Sequence, residues 1–381
     1  MVNAVKVFKK TAPNGKISVY LGRRDFVDNT ISTEPVDGVV LVDNDYLRGR
    51  KVYGTVTVTY RFGREEDEMM GLNFSKEMQL VAEQVYPPAQ KVDPNEVQDR
   101  LIKKLGANAY PFSINLPQNA PASVQLQPGD DSNAQPLGVI YELRVFAADR
   151  ADDKQHKRNS VTLAVRKCQY APMTQSKRQP STLVSKGFTL SPGKLNLEVT
   201  LDKEFYYHGE QVTANLNINN CSKKSVKNVK CAIIQHVEVT MTNSHFTREV
   251  AGMDSKEGCP ITPGATMAKS ISLQPSAQTN KSKIGVALDG KLKDQDANLA
   301  SSTIVATGKN VNDSLGIIVS YSLRVKLNCG AIGGELVADL PFKMLHPNPA
   351  LPKMSGDGGD ADNMVFEDFA KLRRGMSVDQ N

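Results

Sequence analysis

Acidic and basic side chains crowd the segment from Leu288 to Ser302, in a chain that otherwise reads as strands. Its charged members are Asp289, Lys291, Lys293, Asp294 and Asp296. Carboxylates at this density can neutralise a buried guanidinium or ammonium group, or they can face water in a solvated loop. The segment ends in small residues that pack well in an interior. By itself it leaves both interpretations open, a solvated loop or an ionic cluster between packed elements.

The sequence contains no recognisable catalytic constellation. It has no Walker loop, no GxGxxG after a strand, no GxSxG and no HExxH. The histidines are far apart in the sequence, and none has a Ser, Cys or carboxylate at a meaningful spacing: His156, His208, His236, His245 and His346. We therefore predict a binding protein that is not an enzyme and needs no cofactor, with an enzyme of unfamiliar site as the alternative.

Composition narrows the class of protein. The five cysteines form no CxxC pair, which favours reduced thiols over a disulfide framework or a metal site. The net charge of +6 is too small to indicate a nucleic-acid partner. No apolar run approaches the ~18 residues of a membrane span, and the N-terminus lacks the apolar region of a signal peptide. These features predict a cytoplasmic protein.

Strand patterns dominate the chain. In the segment 52–62, apolar residues alternate with Thr and Arg, which predicts a half-buried antiparallel strand. Similar runs are Ile17–Leu21, Val139–Phe146, Val161–Val165, Leu195–Leu201, Val212–Ile218, Val229–Val239 and Leu315–Leu327. Turn residues separate them. The predicted fold is all-β, with two immunoglobulin-like antiparallel β-sandwiches and one short amphipathic helix.

The helix is predicted at 94–105. Asp93 is the expected N-cap, Pro94 the first helical residue, Glu96 the partner in a capping box, and Gly106 the end. Three apolar residues share one face of this helix: Val97, Leu101 and Leu105. A lone helix of this length is marginal in water, so it must lie on a sheet, and another segment can cover its flank.

Changes in composition divide the chain into four parts. They are an N-domain (1–170), an interdomain linker (171–186), a C-domain (187–346) carrying the charged loop 280–302, and a tail (347–381) with a strand near 364–370. The tail is acidic from Met354 to Ala370, so it is expected to fold back on the basic body. Pro349 and Pro352 fit a flexible tether or, alternatively, a ligand for a proline-binding domain.

Eight stretches, in chain order, resemble the arrestins. They are VKVFKKTAPNGKISVYLGRRDFVD, VDGVVLVD, RLIKKLG, HKRNSV, VRKCQYAP, LDGKLKDQDANLASS, LGIIVSY and VFEDFA. The resemblance runs from about Val5 to Met376 and implies two sandwiches, a linker and a C-terminal strand that docks on the N-domain. The short tail lacks a clathrin box, which indicates a visual arrestin of invertebrate type.

The resemblance also implies a polar core that latches the resting state. Its members by matching position are Asp25, Arg166, Asp289, Asp296 and Lys371. Lys371 replaces an arginine of the family and lacks the planar fork, and Arg373 can supply that fork if the register shifts. A buried guanidinium needs carboxylates around it, because removing one partner strands a charge in a dry site. The alternative is that Arg166 and the aspartates form unrelated surface pairs.

The resemblance also implies that a set of basic residues binds phosphate groups. The matching basic positions are Lys9, Lys10, Arg24, Lys104, Lys157 and Lys293. Receptor phosphates would compete with the acidic tail and free Phe366 and Phe369 from the helix flank at Val97, Leu101 and Leu105. Thr162 occupies a position that is basic in many relatives. Together with Lys371, it puts a strict dependence on receptor phosphorylation in question.

The implied partner is light-activated, phosphorylated rhodopsin or a related G-protein-coupled receptor, met at the photoreceptor membrane. A loop would enter the receptor's cytoplasmic cavity and exclude the G protein. Its members are Gly63, Arg64, Glu65, Asp67, Met69, Met70, Gly71 and Leu72. An ordinary hairpin tip is the alternative, although Met-rich tips are suited to binding a partner.

Two further sites follow from the resemblance. Lys230, Arg324 and Lys326 match a site for inositol hexakisphosphate or phosphoinositides, or they form a solvated basic edge. Phe366, Phe369 and Arg373 match a motif for the clathrin adaptor complex. The rival function is therefore an arrestin-like trafficking adaptor. Ser377 lies in a minimal kinase motif.

Overall fold

The structure is a computed structural model of the 381-residue chain. It describes residues 5–29, 32–62, 75–89, 91–117, 120–128, 137–153, 155–171, 178–189, 191–290, 297–304, 316–347 and 364–368. Within these ranges the chain folds into two β-sandwiches, one from each half. The predicted all-β fold with two sandwich domains is confirmed.

The first half supplies ten strands. They are β1 (Val5–Thr11), β2 (Ile17–Leu21), β3 (Asp25–Asp28), β4 (Val36–Val42), β5 (Lys51–Arg61), β6 (Ser75–Tyr86), β7 (Ala109–Ile114), β8 (Val124–Leu126), β9 (Gly138–Ala148) and β10 (Ser160–Gln169).

The second half supplies the remaining strands of the described ranges. They are β11 (Ser181–Phe188), β12 (Ser191–Leu201), β13 (Phe205–Tyr207), β14 (Val212–Asn220), β15 (Asn228–Val239), β16 (Ser244–Ser255), β17 (Thr266–Leu273), β18 (Ala287–Asp289), β19 (Ile317–Asn328), β20 (Glu335–Leu345) and β21 (Met364–Asp368).

Helices are few and short. The α-helices of the described chain are α1 (Asn44–Leu47), α2 (Glu96–Leu105) and α3 (Gly330–Gly333), and single 3-10 turns occur at Lys157–Asn159 and Gln278–Asn280. The sequence predicted only α2, because one-turn helices leave no periodic pattern. No helix in the described ranges is long and apolar enough to cross a bilayer.

Each sandwich has two sheets, and two strands cross between the halves. The N-domain sheets have the orders β21-β1-β2-β4-β7 and β18-β8-β9-β10-β3, with β5 joining β9 to β6. The C-domain sheets have the orders β11-β12-β14-β17 and β13-β20-β19-β15-β16. Strand β18 lies between the C-domain strands β17 and β19 in sequence, and β21 follows the last of these strands, yet both pair with N-domain strands and so connect the two halves.

In many strands every second residue is buried, and these residues form the face that points into the core. In β14, Val212, Ala214, Leu216 and Ile218 are buried while alternate residues are not. Strand β5 differs from the prediction, because Thr55 and Thr57 are buried as well as its valines. It is central between β6 and β9, and Thr57 lies opposite Gln79 on β6 and Glu142 on β9.

Helix α2 begins two residues later than predicted. Its N-cap is Asn95, which forms a capping box with Gln98, so Asp93 and Glu96 were the wrong cap residues. Tertiary contacts account for the shift, since the Gln98 side chain also donates to the Gly38 and Phe112 carbonyls and is thereby held beside Asn95. The helix ends at Gly106, as predicted.

The predicted linker 171–186 extends too far. Its last residues, from Ser181, belong to β11, an edge strand that pairs with β12. One face of β11 is exposed and includes Leu183, so the strand lacks the inward and outward contrast that marks a strand in sequence. Composition set the predicted linker, and a strand without this contrast does not mark where the linker ends.

Candidate functional site

Arg166 lies at the contact between the two halves. Strand β10 pairs in parallel with β3, and this register sets Arg166 beside Asp25. The guanidinium Nε and Nη2 donate to the two Asp25 carboxylate oxygens at 2.6 Å each. The Arg166 side chain is 11% exposed and that of Asp25 is 36% exposed. The structure thus brings together the first two predicted members of the polar core.

The third nitrogen of Arg166 reaches the C-domain segment. Nη1 donates to the Gly290 carbonyl at 3.0 Å. Gly290 follows β18, which pairs with β8 in the N-domain sheet, and a Cβ at this position would lie 2.9 Å from the Ser123 side chain. Only glycine permits so close an approach. Arg166 therefore joins β3, β10 and a segment from the other half.

The charge of Arg166 is kept by its partner. Burial alone opposes ionisation of the guanidinium, but the hydrogen bonds and charge of Asp25 outweigh it, and the pKa of Arg166 is raised. The planar fork of arginine suits this two-point contact, whereas lysine would make a single bond. Removal of Asp25 would leave a charge in a site that water reaches poorly.

Asp289 departs from the expected arrangement. Its buried carboxylate does not form an ion pair with Arg166 within 4.0 Å. Instead Oδ2 accepts from His346 Nε2 at 2.5 Å and lies 3.8 Å from His208 Nε2, and Oδ1 accepts from the Ser301 backbone N–H at 3.0 Å. Burial raises the pKa of Asp289, but the bond from His346 outweighs this effect and lowers it.

His208 and His346 are functional candidates that sequence reasoning missed. Strand β13 pairs in parallel with β20, with Tyr207 opposite Leu345, and each histidine is the next residue along its strand. The two rings lie 4.6 Å apart. Burial lowers the pKa of His208 to about 4, although the charge of Asp289 opposes the shift. Only this tertiary register relates two residues so distant in sequence. We call Asp25, Arg166, His208, Asp289 and His346 the junction.

The basic residues predicted to bind phosphate differ in their exposure and in their contacts. Lys9 lies 5.9 Å over the Tyr20 ring, and Lys10 donates to the Thr162 carbonyl. Arg24 is buried and donates to the Ala164 carbonyl at 3.1 Å, so it is less accessible than the prediction requires. Lys104 on α2 and Lys157 in a 3-10 turn are exposed.

The tail lies along the N-domain edge. Strand β21 pairs in parallel with β1, and the Phe366 backbone is opposite Val7. Val7 belongs to a cluster with Leu101 and Tyr20, and Val97 and Leu105 pack around its rim. The helix thus packs on the outer face of the sheet that the tail extends.

Several predicted residues fall outside the described ranges. They are the residues of the loop predicted to enter the receptor, Gly63, Arg64, Glu65, Asp67, Met69, Met70, Gly71 and Leu72, together with Lys293, Asp296, Phe369, Lys371, Arg373 and Ser377. The Phe366 side chain is likewise not described.

The basic C-domain residues lie on the solvent side of the sheet that contains β15 and β19. Lys230 is directly opposite Lys326, and Arg324 is two residues away. Each has an acidic partner: Lys230 with Glu249 at 3.0 Å, Lys326 with Glu335 at 3.3 Å, and Arg324 with Asp339 at 2.7 Å. An anion would have to displace these carboxylates.

The same sheet face carries a second histidine pair. The rings of His236 and His245 stack at 5.9 Å, and His236 Nε2 lies 2.8 Å from the Ser322 hydroxyl. Both histidines line a groove of 660 Å³ that also borders Asp339. We call this face, with its basic residues and this histidine pair, the outer face.

Comparisons with family models and with individual proteins identify the same family over nearly the whole chain. Residues 17–171 match the family described as Arrestin (or S-antigen), N-terminal domain, and residues 191–349 match the corresponding C-terminal domain. The chain is 57% identical to an arrestin homolog of Locusta migratoria, over 98% of the chain and 97% of that protein.

Two further relatives are proteins with more specific names. The chain is 56% identical to "Arrestin, lateral eye" of Limulus polyphemus, over 98% of the chain and 92% of that protein. It is 53% identical to "Phosrestin-1" of Drosophila melanogaster, over 98% of each.

Proposed function

The chain belongs to the arrestin family, and from this premise we propose that it binds light-activated, phosphorylated rhodopsin and ends signalling by blocking the G protein. Its relatives include an arrestin of the lateral eye and a phosrestin, which supports a role as a photoreceptor arrestin. Members of this family act as signalling adaptors. In our proposal the protein works in the cytoplasm and is recruited to the photoreceptor membrane.

The observation that carries the mechanism is the position of Arg166. Its guanidinium binds Asp25 in the N-domain and the Gly290 carbonyl in a segment of the other half. A buried ionic group of this kind adds little net stability, but it is costly to leave half-paired. We propose that it acts as a latch, because loss of one partner removes the reason for the others to stay in place.

Receptor phosphates would open this latch from the edge of the N-domain. Each phosphorylated Ser or Thr carries roughly −1.5 to −2 charges at neutral pH. Lys9 and Lys10 lie on β1, whose outer neighbour is the tail strand β21. A phosphorylated receptor segment competes with β21 for this edge, and the tail would leave. Exposed Lys104 and Lys157 add positive charge to the approach.

After release, the two halves would rotate, and the segment between β5 and β6 would enter the receptor. That segment occupies the cytoplasmic cavity in the proposal, so the G protein has no access. Signalling then stops without any chemical step, which agrees with the absence of a catalytic motif from the sequence.

A receptor pull-down tests the proposal. Full-length wild type and Arg166→Glu are incubated with light-activated rhodopsin, phosphorylated or not. We expect wild type to prefer the phosphorylated form, and Arg166→Glu to lose much of that preference because it binds the unphosphorylated form better. Arg324→Glu is the matched control, since Arg324 also contacts an aspartate with Nε and Nη2.

An unchanged binding ratio in Arg166→Glu would refute the latch. Failure of wild type to bind either receptor form, with retention of binding to the clathrin adaptor appendage, would favour the trafficking adaptor instead. A reduced preference in both Arg166→Glu and Arg324→Glu would show that net charge, and not the latch, sets the ratio.

A further inference from the structure

Two imidazoles and one carboxylate converge at the junction. His208 follows β13, Asp289 ends β18 and His346 follows β20. The side chains are 6%, 6% and 14% exposed, respectively. Their donor atoms all lie within 4.8 Å of one another. No other group of three such residues occurs in the part of the chain that the structure describes.

The donor atoms of the two histidines approach one oxygen of the carboxylate. Both histidines direct Nε2 at the same Asp289 oxygen, at 2.5 Å for His346 and 3.8 Å for His208. The other carboxylate oxygen is held by the Ser301 backbone N–H, which fixes the orientation of the group. The Ser301 hydroxyl lies 3.0 Å from His208 Nε2. A hydroxyl or a water molecule can therefore complete a four-ligand set.

We propose that His208, Asp289 and His346 form a binding site for a divalent transition metal ion, with Zn²⁺ as the best match. Two imidazole nitrogens and one carboxylate oxygen are donors that Zn²⁺ accepts readily. Bonds of about 2.0–2.1 Å in tetrahedral geometry separate two ligand atoms by roughly 3.3 Å. The two distances to Oδ2 bracket this value, so small side-chain rotations reach it.

Surrounding contacts hold the ligands in place. The Tyr170 ring stacks on His346 at 4.9 Å, and the Ala171 N–H donates to the His346 carbonyl at 3.0 Å. The His208 N–H donates to the Leu345 carbonyl at 3.1 Å. These bonds fix both histidine backbones against neighbouring strands. Ligands that are ordered before metal arrives lose little conformational freedom when they bind it.

The position of the site predicts how a bound ion would affect the two halves. Asp289 belongs to a strand on the N-domain sheet, whereas both histidines directly follow strands of a C-domain sheet. A bound ion would cross-link the two halves, one residue from the Gly290 carbonyl that Arg166 contacts. Metal binding would thus stabilise the resting arrangement. The site itself does not depend on receptor binding.

Co²⁺ titration of the full-length chain, after removal of metals with a chelator, tests the proposal. We expect about one Co²⁺ per chain, the visible absorption of a four-coordinate ion, and displacement by Zn²⁺. Zn²⁺ should also raise the midpoint of thermal unfolding of wild type. His346→Gln and His208→Gln should lose the absorption and the stabilisation.

Two control variants make the outcome specific. His236→Gln alters the histidine pair of the outer face and should bind Co²⁺ like wild type. Cys221→Ser removes an exposed thiol, the most reactive alternative ligand, and should also bind normally. The proposal is overturned if wild type binds no Co²⁺. It is equally overturned if binding survives in both folded junction variants or is lost in Cys221→Ser.

Discussion

The junction and the outer face contain the same arginine–aspartate geometry in different surroundings. In each, an arginine presents Nε and Nη2 to the two oxygens of an aspartate on the neighbouring strand. The distances are 2.6 and 2.6 Å for Arg166 with Asp25, and 2.7 and 3.2 Å for Arg324 with Asp339. The Arg166 side chain is 11% exposed, and that of Arg324 is 31% exposed. Access to water is the main difference.

Exposure to water determines how costly it is to break each arginine–aspartate pair. The pKa of both arginines is raised, but at Arg166 burial is the largest influence and opposes the charge, whereas at Arg324 the hydrogen bond to Asp339 dominates. When the outer pair breaks, water solvates the two separated charges. When the junction pair breaks, water solvates the separated charges poorly. Hydrogen-bond geometry alone therefore does not identify a latch, and desolvation is what distinguishes one.

The two histidine pairs differ in a parallel way. At the junction, His208 and His346 share the carboxylate of Asp289. On the outer face, His236 binds the Ser322 hydroxyl and stacks on His245, and neither histidine forms an ion pair within 4.0 Å among the described residues. Two imidazoles without a third strong donor make a poor metal site.

The largest expected difference between the two regions is in stability. Arg166→Met should lower the free energy of unfolding by about 2–4 kcal/mol, because it strands Asp25, with some relief from the partial solvation of that carboxylate. Arg324→Met should cost less than about 1 kcal/mol. Thermal unfolding followed by circular dichroism measures both, with midpoint losses of several degrees expected only for Arg166→Met. Equal losses would remove the distinction between the regions.

A smaller effect is expected when both members of the junction pair are replaced. Arg166→Met/Asp25→Leu leaves no buried charge unpaired, so most of the loss in Arg166→Met should be recovered, to within about 1 kcal/mol of wild type. The same thermal measurement gives the coupling energy through a double-mutant cycle. The cycle at Arg324 and Asp339 should give a coupling near zero. A double variant less stable than Arg166→Met would contradict this account.

The alternation along the sequence was sufficient to predict the sandwiches, and the family resemblance singled out Arg166. Alternation in segments such as Val212–Ile218 has one physical cause, since strand side chains point to opposite faces. Arg166 follows buried Val161, Leu163 and Val165, so its side chain must leave the hydrophobic layer. The family resemblance supplied its partner, Asp25.

The contacts of Asp289 were beyond sequence reasoning. Its histidine partners depend on the parallel register of β13 and β20 and on the return of β18 to the N-domain sheet. Long-range strand pairing leaves no local signal. The N-cap of α2 was predicted wrongly for a different reason. Asp93 and Asn95 are both good cap residues, and the tertiary contacts of Gln98 that favour Asn95 leave no local signal in the sequence.

The smallest expected effect concerns anions at the outer face. We propose that inositol hexakisphosphate binds Lys230, Arg324 and Lys326 weakly, because each of these side chains already contacts a carboxylate. Glu335→Gln frees Lys326 and should tighten binding by up to about fivefold, the equivalent of one exposed ion pair. Isothermal titration calorimetry at low ionic strength measures the change.

A matched control separates local release from a change in net charge. Glu198→Gln removes one exposed carboxylate from β12, in the opposite sheet of the same domain. If ion pairing at Lys326 limits affinity, only Glu335→Gln tightens binding, and the gain falls as salt screens the charges. If both variants gain equally, the anion responds to the overall field of the domain. The basic residues of the outer face would then be a solvated edge, unlike the junction, where every charge has a defined partner.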